Sequence, residues 1–410
     1  MSNLGFFPTK LLMPTQNDLT RWSVIACDQY TSDPAYWERV EKFVGETPST
    51  LRLIYPEVWL DQSDRLQKIQ QIHTQMHHYL EDNRFCTLPE GFIYLERTLR
   101  SGKIRRGLLG CVDLERYSYA SDSNSSLRPT EGTVESRLPP RIQIRQGAPL
   151  ELPHIMVLVD DPRKTLLEPL VDWKPWMRPL YDFSLMEGGG HLKGWALDHR
   201  SSNWVEDAMQ MLSIQLYDQA EHPLCLAVGD GNHSLATAKA CFEQLKKELP
   251  RAQWENHPAR FALVELCNLH DDGLTFEPIH RVVYTQKSEE LMKELTTQFP
   301  FKESSTEFQI FSKGDTKICS YPGSVPQLIE KLQAFLDNWI SENEGKIDYI
   351  HGQQALKALC DRPNCLGILL PGMQKQELFP QVLKNGPLPR KTFSLGEAWD
   401  KRYYLEARAL

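Results

Sequence analysis

No stretch of this chain is long and apolar enough to span a bilayer. A long basic run is also missing, and the formal net charge over 410 residues is -8. That balance disfavours non-specific binding to nucleic acid. Cys-x-x-Cys is absent. The nine cysteines are odd in number and scattered, with Cys360 and Cys365 the nearest pair. Neither a zinc ribbon nor a disulfide scaffold is expected. Cys111, Cys225 and Cys267 lie in apolar runs, where a thiol packs as a small hydrophobe. There is no internal repeat and no low-complexity segment. No Gly-Lys-Ser/Thr closes a phosphate loop, and no Gly-x-Ser-x-Gly elbow or kinase signature occurs. Residues 1–5 lack the basic-then-apolar start of a secretory leader. These absences lead us to expect a cytoplasmic protein that partners neither membrane nor nucleic acid.

What is present is ordinary in amount and uneven in pattern. Apolar and charged residues make up 41% and 24% of the chain, as in soluble globular proteins. The length suggests two or three domains. Residues 22–26 read as a strand, and Asp33-Pro34 as a helix start. Residues 61–82 have helical spacing. Residues 92–96 and 107–112 read as a hairpin closed through Ser101-Gly102-Lys103. Residues 152–159 and 261–266 read as buried strands. The glycines of 187–191 suggest a flexible loop, a candidate lid. Past Tyr284 come amphipathic helices at 289–299 and 325–339, with short strands at 347–350 and 366–370. The hairpin argues against a purely parallel sheet. The expected fold class is α/β or α+β: a mixed sheet with flanking helices, plus a smaller C-terminal α/β unit. The expected division is 1–285 and 286–410.

One segment stands out. The apolar run Leu224-Cys225-Leu226-Ala227-Val228 stops at Gly229-Asp230-Gly231, and helical sequence starts at once with Asn232-His233-Ser234-Leu235. A helix N-terminus carries unpaired donors and partial positive charge, so it suits an anion. Glycines allow close approach to the backbone. Asp230 and His233 put a carboxylate and an imidazole beside that point, a pairing that can bind a metal, orient a phosphate or move a proton. A plain turn with Asn232 or Ser234 capping the helix explains the same residues.

Other groupings are less specific. Arg128, Glu131, Glu135, Arg137, Arg141 and Arg145 crowd one polar stretch. Arginine forks suit phosphate or carboxylate, and a solvated loop is the structural alternative. His270-Asp271-Asp272-Gly273, followed by Pro278-Ile279-His280-Arg281, could supply a base or an anion clamp, or only a turn. His73, His77 and His78 lack a third ligand and read as a surface helix. No set of metal ligands is assigned from spacing.

Asp230-Gly231-Asn232-His233-Ser234 resembles the Asp-Gly-His-His-Arg box that follows a strand in an uncharacterised bacterial and archaeal family, a domain of unknown function. Further segments carry the resemblance over nearly the whole chain. They are 22–30, 47–52, Glu131-Gly132-Thr133 with Arg137, Gly189-Gly190-His191 with Gly194-Trp195, 278–281 and 388–397. The box is also similar to the Gly-x-His-Arg signature of the ParB and sulfiredoxin-like superfamily, which includes an ADP-dependent kinase for free serine. This resemblance implies phosphates held at the helix, with ATP or ADP and Mg²⁺ as cofactors. Two departures stand out: Asn232 replaces the first His and Ser234 the Arg. The missing cation would have to come from Arg128, Arg137 or Arg281.

The expected function is phosphoryl transfer to or from a small hydroxylated, serine-like metabolite, a process that needs mainly positioning and charge stabilisation. Gly231, Asn232 and Ser234 would hold phosphate. Asp230 would hold metal or orient the acceptor, Glu131 would be the general base and His233 would shuttle a proton. Arg128, Arg137 and Arg281 would clamp charge. Two other readings stay open. One is a nucleotide-independent hydrolase or isomerase using Asp230, His233 and Glu131. The other is a non-catalytic nucleotide- or metabolite-binding protein.

Overall fold

The computed structural model describes residues 4–31, 33–60, 63–312 and 314–410. Residues 1–3 of the leader reading and 61–62 of the helix reading lie outside that range. The chain forms two compact units. The first takes residues up to Leu274 together with Val382–Gly386 and Ala398–Leu410; the second takes Thr275–Gln381 and Pro387–Glu397. The fold is mixed parallel and antiparallel sheet flanked by helices, with a separate C-terminal sheet and helix unit. No helix among the described residues is long and apolar enough to cross a membrane.

The main sheet of the first unit contains β1 (Phe6–Phe7), β2 (Ile93–Thr98), β3 (Ile104–Asp113), β4 (Leu127–Pro129) and β5 (Met156–Val159). It continues with β6 (Arg178–Ser184), β7 (His191–Ala196), β8 (Leu226–Asp230) and β9 (Phe261–Asn268). The spatial order is β4-β8-β5-β9-β3-β2-β7-β6, with β1 beside β3. The hairpin is β2 and β3, antiparallel from Ile93↔Leu109 to Thr98↔Ile104. The β4/β8 and β5/β9 pairs are parallel.

The sheet is buried on both faces, so its central strands are largely apolar. Alternation along each strand sends side chains to two different cores. Leu108 and Val112 of β3, Val264 and Leu266 of β9, and Leu226 and Val228 of β8 meet Val205 and Phe242. Those two come from the helices His199–Gln219 and Asn232–Glu248. Leu109 and Cys111 of β3 and Leu263 of β9 face Trp22, Val24, Tyr36 and Leu405.

Glu265 lies on that second face and is fully buried. Its Oε1 is 3.6 Å from Arg105 Nε and its Oε2 is 3.2 Å from Arg402 Nε. Burial alone would raise the carboxyl; Arg105 and Arg402 outweigh it and hold Glu265 below its usual range. Gly107 makes room for this group, because a Cβ there would stand 2.6 Å from Glu265 Oε1. Arg402 also pairs with buried Glu406, and Tyr181 donates its hydroxyl to Glu406 Oε1 at 2.5 Å. Arg97 is buried, and its guanidinium donates to the carbonyls of Gly189, Trp399 and Lys401. Burial, then Arg105, pushes its pKa down to about 9.

Residues 398–410 therefore run through the interior of the first unit. Trp22 Nε1 donates to the Leu405 carbonyl at 2.9 Å, Ala407 bonds Leu12, and Arg408–Ala409 pairs with Leu150–Glu151. Two expectations change here. Residues 22–26 are not a strand: Trp22 ends the short helix Leu19–Trp22, and Val24 makes one bridge to Tyr404. The run is apolar because the C-terminal segment buries it. The glycines of 187–191 are packed and do not form an open hinge. A Cβ on Gly189 would stand 2.3 Å from Tyr403 Oη, and one on Gly190 2.0 Å from the Thr98 carbonyl.

The second unit is an antiparallel sheet of β10 (Phe276–Tyr284), β11 (Thr306–Ser312), β12 (Asp315–Tyr321), β13 (Lys346–His351), β14 (Cys365–Leu369) and β15 (Phe393–Leu395). The order is β12-β11-β14-β10-β13, with β15 also on β10. Helices Ser288–Gln298 and Val325–Glu342 cover one face through Leu291, Leu295, Leu328, Leu332 and Leu336. Ser324 and Gln327 form a capping box at the second of these helices.

Two outcomes test this packing. Glu265→Gln leaves buried Arg105 without its carboxylate and Arg402 with Glu406 alone, so we expect a loss of about 3–5 kcal/mol. The readout is the urea unfolding midpoint, and a loss below about 1 kcal/mol, within the range of an exposed pair, would contradict the assignment. In the second unit, His280 Nδ1 accepts the Leu370 N–H at 3.2 Å. Burial, helped by Arg281 and His351, pushes His280 from 6.5 down to about 4. The unfolded chain then binds a proton below pH 6.5 that the native state refuses until about pH 4. This contribution is full above pH 6.5 and drains away as pH falls to 4, by about 2–3 kcal/mol. His280→Asn, which can accept the same bond but does not titrate, should flatten the stability slope in that window. An unchanged slope would rule this out.

Candidate functional site

β8 lies parallel to β4, with Leu226 opposite Leu127 and Val228 opposite Pro129. Both strands therefore end at the same edge of the sheet, where loops of parallel strands gather ligands. β5 is antiparallel to β8, with Asp230 opposite Met156 after an irregularity between Val228 and Asp230. The approach to β5, His154-Ile155, reaches the same edge.

Gly231 turns the chain from strand to helix. Its φ is +82°, in the left-handed region, and a Cβ there would stand 3.0 Å from Ile155 Cγ1. Both facts call for glycine. Gly231 is itself the N-cap of helix Asn232–Glu248, and no side chain caps that helix. The capping alternative for Asn232 and Ser234 is thereby replaced, because both side chains point to other partners. Asn232 Oδ1 accepts the Thr130 N–H at 3.2 Å, and Thr130 Oγ1 donates to the Val228 carbonyl at 2.6 Å. His233 Nε2 accepts the Val134 N–H at 3.4 Å. Ser234 Oγ is 2.7 Å from His154 Nε2, and the His154 ring lies 5.2 Å from that of Tyr404.

Asp230 carries the decisive contact. Lys401 Nζ is 3.3 Å from its Oδ1; the lysine side chain is 7% exposed and the aspartate 30%. The Lys401 carbonyl accepts from Arg97, so the lysine is held from both ends. A buried ammonium thus stands beside the uncapped first turn of a helix, and both favour negative charge.

The structure gathers Asp230, Gly231, Asn232, His233 and Ser234 at one strand–helix turn. The loop containing Glu131 joins them, since Thr130 and Val134 on either side of it bond Asn232 and His233. Glu131 is half-buried. Arg128 is buried one residue before Pro129, and its guanidinium donates to the carbonyls of Ser125 and His222. Arg137 is exposed at the start of helix Leu138–Arg145, which packs on helix Asn232–Glu248. Arg281 belongs to the second unit, where its guanidinium meets the carbonyls of Ile279, Lys391 and Arg390. His270 bonds Asp160 at 2.7 Å, and Asp271 takes the N–H groups of Gly273 and Arg106, the bonding of a turn. His73 Nε2 is 2.9 Å from the Ile144 carbonyl. Lys401, His154 and Thr130 were not visible as site residues in the sequence. His154 had a local signal, standing just before a buried strand, and Lys401 had none.

The model of the family described as "Protein of unknown function (DUF1015)" matches residues 6–339. No curated protein matches the chain. Among solved structures, the chain is similar to SbnI with C-terminal truncation from Staphylococcus aureus. That likeness has 11% identity and a TM-score of 0.38, covering 70% of this chain and 82% of that one. It is also similar to a conserved hypothetical protein from Pyrococcus furiosus, at 11% identity and a TM-score of 0.37, covering 73% and 94%. A third is a free serine kinase in complex with AMP, at 10% identity and a TM-score of 0.40, covering 72% and 90%. With its family model matched over most of its length, the chain belongs to the DUF1015 family of proteins of unknown function.

Proposed function

We propose that this chain is an enzyme that binds a phosphorylated small molecule at the first turn of helix Asn232–Glu248. In this reading it moves a phosphoryl group to or from a small hydroxylated, serine-like metabolite, with ATP or ADP as the other partner. The observation that carries the reading is Lys401, a nearly buried ammonium paired with Asp230 beside a helix start that no side chain caps. It gives the site the cation that Ser234, in place of the box arginine, does not supply.

The roles follow from charge and reach. Lys401 and the first-turn N–H groups hold phosphate oxygens. Asp230, released by Lys401, orients the acceptor or takes Mg²⁺. Among the described residues no three His, Cys, Asp or Glu side chains gather into a metal cage. Mg²⁺ needs none here, because it is commonly held by one carboxylate and the phosphates of its ligand. Glu131, between the anchored residues Thr130 and Val134, is the proton acceptor for the attacking hydroxyl. His233 keeps that loop in place.

A thermal-shift panel of adenine and guanine nucleotides, with and without Mg²⁺, tests the reading. A ligand at ~100 times its dissociation constant stabilises the native state by about 2.7 kcal/mol. Wild type should shift, while Lys401→Met and Asp230→Asn, each read against its own unliganded melting point, should lose most of the shift. No shift with any nucleotide, or equal shifts in all three proteins, would contradict it.

A further inference from the structure

We propose that Ser234 is a nucleophile activated by His154 and that it carries the phosphoryl group covalently between donor and acceptor. This deepens, and rests on, the phosphate-site reading above. Ser234 Oγ and His154 Nε2 are 2.7 Å apart, within the reach a base needs to take the hydroxyl proton. The two side chains come from different elements and both are half-buried, so the hydroxyl is neither sealed in the core nor simply solvated. The approach is built in: Gly231, with no Cβ, lets Ile155 lie against the turn, and that sets the preceding His154 over Ser234. The His154 ring is backed by Tyr404 from the C-terminal segment. Three residues on from the N-cap, Ser234 sits in the helix's first turn, where a phosphoserine dianion is favoured.

The chemistry balances in two steps. Ser234 Oγ attacks the terminal phosphorus of a nucleoside di- or triphosphate. The bond from phosphorus to the bridging oxygen breaks, its electron pair leaves with the nucleotide, and the hydroxyl proton passes to His154 Nε2. The acceptor hydroxyl then attacks the phosphoserine. The Oγ–P bond breaks, His154 returns its proton to Oγ, and the acceptor proton leaves through Glu131 to water.

The test uses the full chain in two arms. In the first, wild type, Ser234→Ala and His154→Gln are incubated with MgATP or MgADP, quenched in acid and read by intact mass and peptide sequencing. One phosphoryl group on Ser234 is expected, absent from Ser234→Ala and formed on the order of 100-fold more slowly in His154→Gln. In the second, the proteins meet a fluorophosphonate. There the Oγ–P bond forms, fluoride leaves and His154 takes the proton, so labelling should show the same dependence without any nucleotide. Nucleotide-dependent stabilisation with neither adduct on Ser234 overturns the nucleophile and leaves the phosphate site standing. Labelling of Ser234 that needs His154, with no nucleotide effect at all, supports the pair and overturns the nucleotide reading. Equal labelling in His154→Gln overturns the role of His154. Both variants should keep the wild-type thermal transition, since neither residue is in the core.

Discussion

The first unit depends on one buried carboxylate. Glu265 is inside the main sheet on the face that packs against the N-terminal segment, where an unpaired charge is expensive. The solution is two guanidiniums. Arg105 comes from the neighbouring strand and Arg402 from the far end of the chain. That requirement draws residues 398–410 through the interior, and other features accommodate it. Gly107 clears space for the carboxylate, and Gly189 clears space for Tyr403. Glu406 and Tyr181 close the network, and Arg408 pairs with Glu151. A buried pair of this kind need not add stability over an apolar core, but losing one partner is severe. The pairing therefore fixes the path of the segment.

That path builds the candidate site. Lys401 precedes Arg402, so anchoring Arg402 under the sheet delivers the lysine to Asp230 at the sheet's edge. Tyr404 follows and backs His154. The edge itself is set by strand direction: two parallel neighbours end there and an antiparallel one begins there. Rigid elements thus hold the groups of the site, while the loop through Glu131 is tied down by hydrogen bonds at Thr130 and Val134.

Much of the frame was legible in local sequence. The β2–β3 hairpin is two largely buried strands joined by a glycine turn, and Val325–Glu342 carries leucines at helical spacing behind a Ser-x-x-Gln start. The strand–glycine–helix at 226–248 was equally plain. Other features answered to long-range packing and had no local signature. Lys401 acquires its place from Glu265, remote in sequence. The 22–26 run looks like a strand because it is buried, yet it has only a bridge for a partner. The glycines at 189–190 look like a hinge, but they are small because Tyr403 and Thr98 press on them. Arg128 and Arg281 illustrate a further limit: arginine content does not tell a ligand from a main-chain carbonyl.

In the proposed function the C-terminal segment, through Lys401, completes a phosphate site at the turn after β8. The most direct measurement is a crystal structure with a nucleoside diphosphate and Mg²⁺. Phosphate oxygens should lie about 2.7–3.2 Å from Lys401 Nζ and from the first-turn N–H groups, with the Lys401–Asp230 pair opened. Phosphates bound elsewhere, with that pair intact, would contradict it.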